Sequence, residues 1–308
     1  MKRQGLFAET IVSIALVANS VQAEPRLEKN VVYGMYSGLA LLMDVHYPDK
    51  PNGYGLLLIP GSGWHAPQGY DAIGLKDGAE CCSSLFVFIP SLLRSGYTLF
   101  IINHRAAPRF RFPAAVEDTQ RAVRFIRSHA KDYGISAERI GAVGYSSGAH
   151  LVTMLGVLDG SGNSTDPDPV NRLSASVQCV VANALRADLR SASGATISFV
   201  GQPPANAIGG QDPIATEAYR VASPITHVTR TSAPLLLIHG DADNAIPFQQ
   251  SEAMLAAMQQ AGAPVKLIRV PGGGHDFARE VSQHPEWPDV FGESVRWLDD
   301  HLKAATAK

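Results

Sequence analysis

The sequence contains little cysteine, little charge and no long apolar run. Three cysteines in 308 residues are too few and odd in number for a disulfide framework. No Cys/His cluster has the spacing of a zinc site, so no metal is expected. Charged residues make up 18% and the net charge is −2 at pH 7, with no Lys/Arg-rich tract. Nucleic acid is therefore not an expected partner.

The first residues have the pattern of an export signal. Lys2 and Arg3 precede the short apolar stretch "IVSIALVA", and the small residues "VQA" end at Ala23. This pattern predicts a cleavable signal peptide over residues 1–23 and a periplasmic or secreted protein. The alternative is an amphipathic first helix of the mature fold. A stable membrane span is not expected, because the apolar run is well short of the ~20 residues that a span needs.

The cysteine pairing stays open. Cys81 and Cys82 are adjacent, and because a bridge between neighbours is strained, either can instead pair with Cys179. Cys179 lies in the apolar run "VQCVVANAL" and has the surroundings of a buried, unpaired cysteine.

Strand and helix patterns alternate along the chain. "VVYGMYSGLALLMDVHYP" predicts two strands joined at Ser37–Gly38, and short apolar runs such as "YGLLLIPG" and "APLLLIHG" predict buried strands. "FPAAVEDTQRAVRFIRSHAKDYG" predicts an amphipathic helix that ends at Gly134. Two antiparallel strands followed by strand–helix alternation predict an α/β fold, a mostly parallel central sheet with helices on both faces.

No repeat or linker divides the chain, so residues 24–308 are expected to form a single domain. The stretch from 186 to about 232 is irregular and rich in Ser, Gly and Pro. It is too long for an ordinary connection and predicts an inserted lid or substrate-facing segment.

The stretch "GYSSG" places Ser146 between Gly144 and Gly148, where a predicted strand ends and a helix begins. G-x-S-x-G alone is a common pattern, but this junction is the strand-to-helix turn that exposes a nucleophilic serine. The flanking glycines let the backbone bend, and the helix N-terminus favours a developing negative charge.

A nucleophilic serine needs a base and an acid that orients the base. "DADNAIP" follows the strand "APLLLIHG", and "GGHDF" follows the last predicted strand. These segments offer Asp243, with Asp241 as its competitor, and His275 at the carboxyl ends of parallel strands, where such sheets form their sites. Asp188 and Asp276 are interpreted as structural or solvent-facing.

With "PGSGW", "FPAAVEDTQRAV", "GYSSGAHL", "HGDADNAIP" and "GGGHDF" in this order, the chain resembles α/β-hydrolase esterases from about residue 30 to 303. The likeness is to secreted carbohydrate and feruloyl-type esterases and to hormone-sensitive-lipase-like carboxylesterases. It implies the α/β-hydrolase fold, with Ser146 as nucleophile, His275 as base and Asp243, counted from His239, as the acid. It implies no metal and no organic cofactor.

The resemblance also implies an oxyanion hole made of backbone amides. Ser147 supplies one, and the loop "PGSGW" supplies others, with Ser62 and Gly63 as candidates. Pro60 stands where the family has His, and a proline has no N–H to donate. Trp64 is a candidate for lining the substrate pocket, and His65 for contacting substrate.

Two other positions have structural interpretations. His150 lies one turn into the helix and is expected to be a packed histidine. His104 and Arg105 end a strand, where an ion pair with Glu117 or Asp118 is expected.

The expected function is a serine carboxylic-ester hydrolase acting through an acyl-enzyme on small or carbohydrate-linked esters of acetyl or feruloyl type. The alternatives are a general short-chain carboxylesterase, a prolyl-oligopeptidase-like peptidase or amidase, and a non-catalytic binding protein. The expected partner is a small-molecule or polysaccharide-linked ester. The oligomeric state is left open.

Overall fold

The computed structural model describes residues 26–65, 75–77, 84–190, 195–201 and 213–303. The signal peptide predicted over residues 1–23, and Cys81 and Cys82, lie outside these ranges. Cys179 is a free, buried thiol. Within the described ranges, no helix is long and apolar enough to cross a membrane.

The described strands form one sheet in the order β1-β2-β4-β3-β5-β6-β7-β8. β2 pairs antiparallel with β1 and β4, and the remaining pairs are parallel. This is the mostly parallel central sheet that the alternation of strands and helices predicts, and it agrees with the α/β-hydrolase fold that the resemblance implies. The strands are β1 (Leu27–Tyr36), β2 (Leu39–His46), β3 (Gly55–Ile59), β4 (Thr98–Ile102), β5 (Ile140–Tyr145), β6 (Cys179–Asn183), β7 (Leu235–Gly240) and β8 (Val265–Val270).

Helices cover both faces of this sheet. They are α1 (Ile89–Arg94), α2 (Ala114–Ser128), α3 (Ser147–Val157), α4 (Ala195–Val200), α5 (Pro213–Val221), α6 (Gln249–Ala261), α7 (Phe277–Glu280) and α8 (Val290–Leu302). Along β3, Leu57 packs in the core on the side of α2 and α3, while Leu56 packs in the core that contains α8. Side chains of a strand alternate between faces, so one buried strand supplies both cores.

Two of the sequence expectations about elements need correction. α2 ends at Ser128, not at Gly134, because His129 leaves helical dihedrals (φ −109°, ψ 16°) and turns carry the chain to Gly134, where φ is +66°. The stretch 186–232 is not irregular throughout. It contains α4 and α5, and Phe199 of α4 is buried in the core.

Candidate active site

Ser146 occupies a strained turn between β5 and α3. Its φ is +55° and its ψ is −119°, a conformation that side chains rarely adopt. The two glycines are sterically required. A Cβ at Gly144 would lie 2.3 Å from the carbonyl oxygen of Gly148, and a Cβ at Gly148 would lie 1.9 Å from that of Ile59. The turn therefore holds a half-buried serine at the carboxyl end of the sheet.

A series of hydrogen bonds leads from Ser146 to Asp243. Ser146 Oγ lies 3.1 Å from Nε2 of His275, in the loop after β8, and Nδ1 of the same ring lies 2.7 Å from Asp243 Oδ2. The hydroxyl of Tyr145 donates to the backbone carbonyl of His275 at 2.6 Å, which anchors the histidine loop. Sequence reasoning missed this contact, although Tyr145 directly precedes Ser146.

Asp243 is buried and ionised. Burial raises the pKa of its carboxyl, but hydrogen bonds from His239, His275 and the Ile246 amide outweigh burial and hold the pKa well below its usual range. Oδ1 accepts the amides of Ala245 and Ile246, both at 2.8 Å. A negative charge held in this way can orient the imidazole of His275 and stabilise its protonated form.

The three other aspartates considered in the sequence analysis have partners other than His275. They are Asp241, Asp188 and Asp276. Asp241 accepts from Arg269 and from the Gly272 amide, both at 2.6 Å. Asp188 pairs with Arg190 at 2.7 Å. Asp276 accepts from Ser84 Oγ at 2.5 Å, and both residues line the cavity beside Ser146, a position that sequence reasoning did not assign to them. Of the four aspartates, only Asp243 bonds His275.

The loop after β3 passes directly over Ser146, since a Cβ at Gly61 would lie 2.9 Å from Ser146 Cβ. The Ser62 amide, expected to be an oxyanion donor, instead donates to Ser147 Oγ at 2.9 Å, so it already has an acceptor. Gly63 lines the same cavity as Ser146, and within the described residues its amide has no acceptor. Ser147 begins α3, where amides have no intrahelical acceptor.

Trp64 does not line the cavity beside Ser146, contrary to the expectation for the substrate pocket. It is only 3% exposed, stacks on Phe199 with ring centroids 4.6 Å apart, and donates from Nε1 to His150 Nδ1 at 3.2 Å. Burying an indole ring stabilises the core, and its N–H finds a partner there. His150 also bonds the Ala222 carbonyl at 2.8 Å and is a packed histidine, as expected.

The expected ion pair at the end of β4 is present. Arg105 bonds Asp118 at 2.7 Å and Glu117 at 3.0 Å. His104 stands apart from this pair and contacts the Arg105 carbonyl through Nδ1 at 2.9 Å.

The cavity beside Ser146 has a volume of about 200 Å³ and is lined by Gly61, Ser62, Gly63, Ser84, Tyr145, Ser146, His275 and Asp276. Among the described residues, no group of three His, Cys, Asp or Glu side chains could hold a metal ion. The arrangement can activate a hydroxyl by proton transfer and can place amides around a developing oxyanion.

The sheet, the strained serine turn and the hydrogen-bonded series define an α/β-hydrolase. The BD-FAE family model matches residues 43–258, and the chain belongs to that family. The resemblance to α/β-hydrolase esterases is confirmed.

Similar proteins include the esterase LipC of Mycobacterium tuberculosis, 27% identical over 81% of this chain and 59% of LipC. An ethyl acetate hydrolase of Pseudomonas putida is 28% identical over 68% of this chain and 64% of the hydrolase. A truncated carbohydrate esterase from gut microbiota has a similar structure, with a TM-score of 0.71 and 26% identity over 90% of this chain and 96% of that one. The chain thus spans less than two thirds of the length of these two sequence relatives.

Proposed function

We propose that the protein is a serine carboxylic-ester hydrolase. The observation that carries the proposal is the series Ser146 Oγ–His275–Asp243, with separations of 3.1 and 2.7 Å, on a strained strand-to-helix turn. Ser146 attacks the ester carbonyl while His275 Nε2 takes the hydroxyl proton. The alcohol leaves with that proton, and a water molecule, activated by the same imidazole, releases the acid and regenerates the serine.

The oxyanion of the tetrahedral intermediate is held by the amides of Gly63 and Ser147. Gly63 lines the cavity beside Ser146 and Ser147 follows Ser146 in the chain, whereas the Ser62 amide already donates to the Ser147 hydroxyl. Asp243 keeps the imidazole of His275 in the tautomer that accepts the serine proton, because its carboxylate holds the proton on Nδ1.

The acyl group is short and the alcohol is carbohydrate-linked. A cavity of about 200 Å³ accommodates an acetyl group more readily than a feruloyl group. The ethyl acetate hydrolase and the carbohydrate esterase among the similar proteins support an acetyl ester of a sugar. The export pattern at residues 1–23 supports a periplasmic or extracellular place of action.

The test is covalent labelling by a fluorophosphonate, read by intact mass. The serine oxygen displaces fluoride and forms a bond to phosphorus. We expect one adduct on the wild type, none on Ser146→Ala, wild-type labelling of Asp241→Asn and labelling at least ~100-fold slower in Asp243→Asn. Folded wild-type protein without an adduct would overturn the proposal.

A panel of p-nitrophenyl esters then tests the acyl group. We expect kcat/KM to fall from acetate through butyrate to octanoate. Faster turnover of methyl ferulate than of the acetate ester would contradict the acetyl assignment while leaving the serine mechanism intact.

A further inference from the structure

A second and larger cavity adjoins the loop that covers Ser146. Its volume is about 810 Å³, and it is lined by Leu39, Ser62, His65 and the loop 104–110. We refer to it as the side cavity. Ser62 also lines the small cavity beside Ser146, so the two cavities lie on either side of this residue. An ester with its acyl group in the small cavity has space in the side cavity for its alcohol part.

The two walls of the side cavity are joined by backbone contacts. Ala107 donates its amide to the Trp64 carbonyl at 2.8 Å, and His65 pairs with Ala107 in an isolated β-bridge. The loop 104–110 is therefore held in place relative to the loop over Ser146. A group bound between these loops has a defined position relative to the nucleophile.

Arg109 provides a positive charge at the side cavity that the described carboxylates do not balance. Arg105 is compensated, because it bonds both Asp118 and Glu117. His104 is buried, and burial lowers its pKa, so it is neutral at neutral pH. Arg109 is exposed and forms no ion pair with a described residue, and its guanidinium lies 5.3 Å from the Phe110 ring centroid.

Polar atoms without a described partner accompany this charge. Nδ1 of His104 lies 2.9 Å from the Arg105 carbonyl. A carbonyl only accepts, so the proton of the neutral His104 ring is on Nδ1 and its Nε2 is an acceptor. His104 Nε2 and Ser62 Oγ are both buried without a partner among the described residues. Such atoms beside a cavity suit the hydroxyls of a ligand.

We propose that the side cavity binds the alcohol part of the ester and that this alcohol is a hydroxylated carboxylic acid of the uronic-acid type. Arg109 pairs with the carboxylate, the ring of Phe110 contacts the apolar face of the sugar, and Nε2 of His104 accepts a hydrogen bond from one of its hydroxyls. The proposal rests on the proposed esterase function and specifies its substrate class.

The test compares two esters that differ only at C6, a methyl galacturonoside with a carboxylate there and a methyl galactoside with a hydroxymethyl group, both acetylated at the same ring hydroxyl. We expect the wild type to cleave the galacturonoside with a kcat/KM about two- to fivefold higher, as an exposed charge pair allows. Arg109→Gln removes this preference by lowering kcat/KM for the galacturonoside alone. Arg111→Gln, an exposed arginine outside the cavity lining, serves as control and keeps the preference. High salt reduces the preference of the wild type.

Equal kcat/KM values of the wild type for the two esters would overturn the proposal. An Arg109→Gln variant whose kcat/KM falls by the same factor for both esters would overturn it as well. Turnover of p-nitrophenyl acetate by each preparation distinguishes a failure of the side-cavity assignment from a failure of the proposed esterase function. Hydrolysis of that ester without any preference between the sugars rejects the side-cavity assignment and retains the esterase. No hydrolysis of any ester, together with no fluorophosphonate adduct, rejects both.

Discussion

The hydroxyl of Ser147 joins two parts of the site that are 85 residues apart in the chain. It accepts the Ser62 amide at 2.9 Å, and so connects the loop that carries Gly63 to the helix that begins after Ser146. Removing this hydroxyl leaves the backbone amide of residue 147 in place. The effect of such a change therefore reports how the loop is positioned.

We expect Ser147→Ala to lower kcat about tenfold with KM within about twofold, because an oxyanion amide acts mainly in the transition state. Ser147→Thr restores an acceptor and should recover most of the loss. Steady-state kinetics on p-nitrophenyl acetate measures both parameters.

Thr153→Ala provides the matched control for Ser147→Ala. Thr153 is buried in the same helix, and its hydroxyl bonds only the local Ala149 carbonyl at 2.7 Å. A similar loss of kcat in Thr153→Ala, or wild-type kcat in Ser147→Ala, would show that the Ser62–Ser147 contact does not position the loop.

At the scale of elements, α3 packs directly against the end of β3. A Cβ at Gly148 would lie 1.9 Å from the Ile59 carbonyl oxygen, which is a rigid backbone atom. We expect Gly148→Ala to lower the free energy of unfolding by about 3 kcal/mol or more, because strand and helix must separate. Urea unfolding followed by circular dichroism measures this change.

Gly274→Ala is the comparison for that variant. A Cβ at Gly274 meets no described atom within 4 Å, and its φ is not in the left-handed region. Its free energy of unfolding should stay within about 0.5 kcal/mol of the wild type, as for most uncrowded surface changes. Equal stability of Gly148→Ala and Gly274→Ala would contradict the close packing of α3 on β3.

At the scale of the whole molecule, buried histidines make stability depend on pH. Burial lowers the pKa of His150 from 6.5 to about 4, and it lowers the pKa values of His104 and His46 as well. At pH values between these lowered pKa values and the ordinary pKa of 6.5, these histidines bind protons in the unfolded chain but not in the folded protein. The free energy of unfolding therefore falls as the pH falls from 7 towards 4. The depressed pKa of Asp243 acts in the same direction, but only below its ordinary value of 3.8.

We expect the free energy of unfolding to be lower at pH 5 than at pH 7, by about 2 kcal/mol for His150 alone. Urea titrations at the two pH values measure the difference. His150→Gln, whatever its stability at pH 7, should show a smaller difference than the wild type. The same pH dependence in both proteins would mean that His150 does not take up a proton on unfolding.

Much of the site could be predicted from residue order. Strand patterns mark the carboxyl ends of β5, β7 and β8, and parallel strands bring those ends to one edge, so Ser146, Asp243 and His275 were expected near one another. The choice of Asp243 over Asp241 rested on a resemblance in spacing. In the structure, Asp241 pairs with Arg269 on the neighbouring strand, a contact across 28 residues that no local pattern reveals.

The sequence by itself determined the fold class and the order of the chemical groups, because periodicity and glycine positions are local properties of the chain. Only the tertiary structure decided that the Ser62 amide is occupied, that Trp64 is buried on Phe199 and that Asp276 lines the cavity beside Ser146. The physical reason is the same for all three. Each of these three features depends on contacts between segments that are far apart in the chain. Which group accepts a hydrogen bond, and which side chain fills a space, is determined only when those segments pack together.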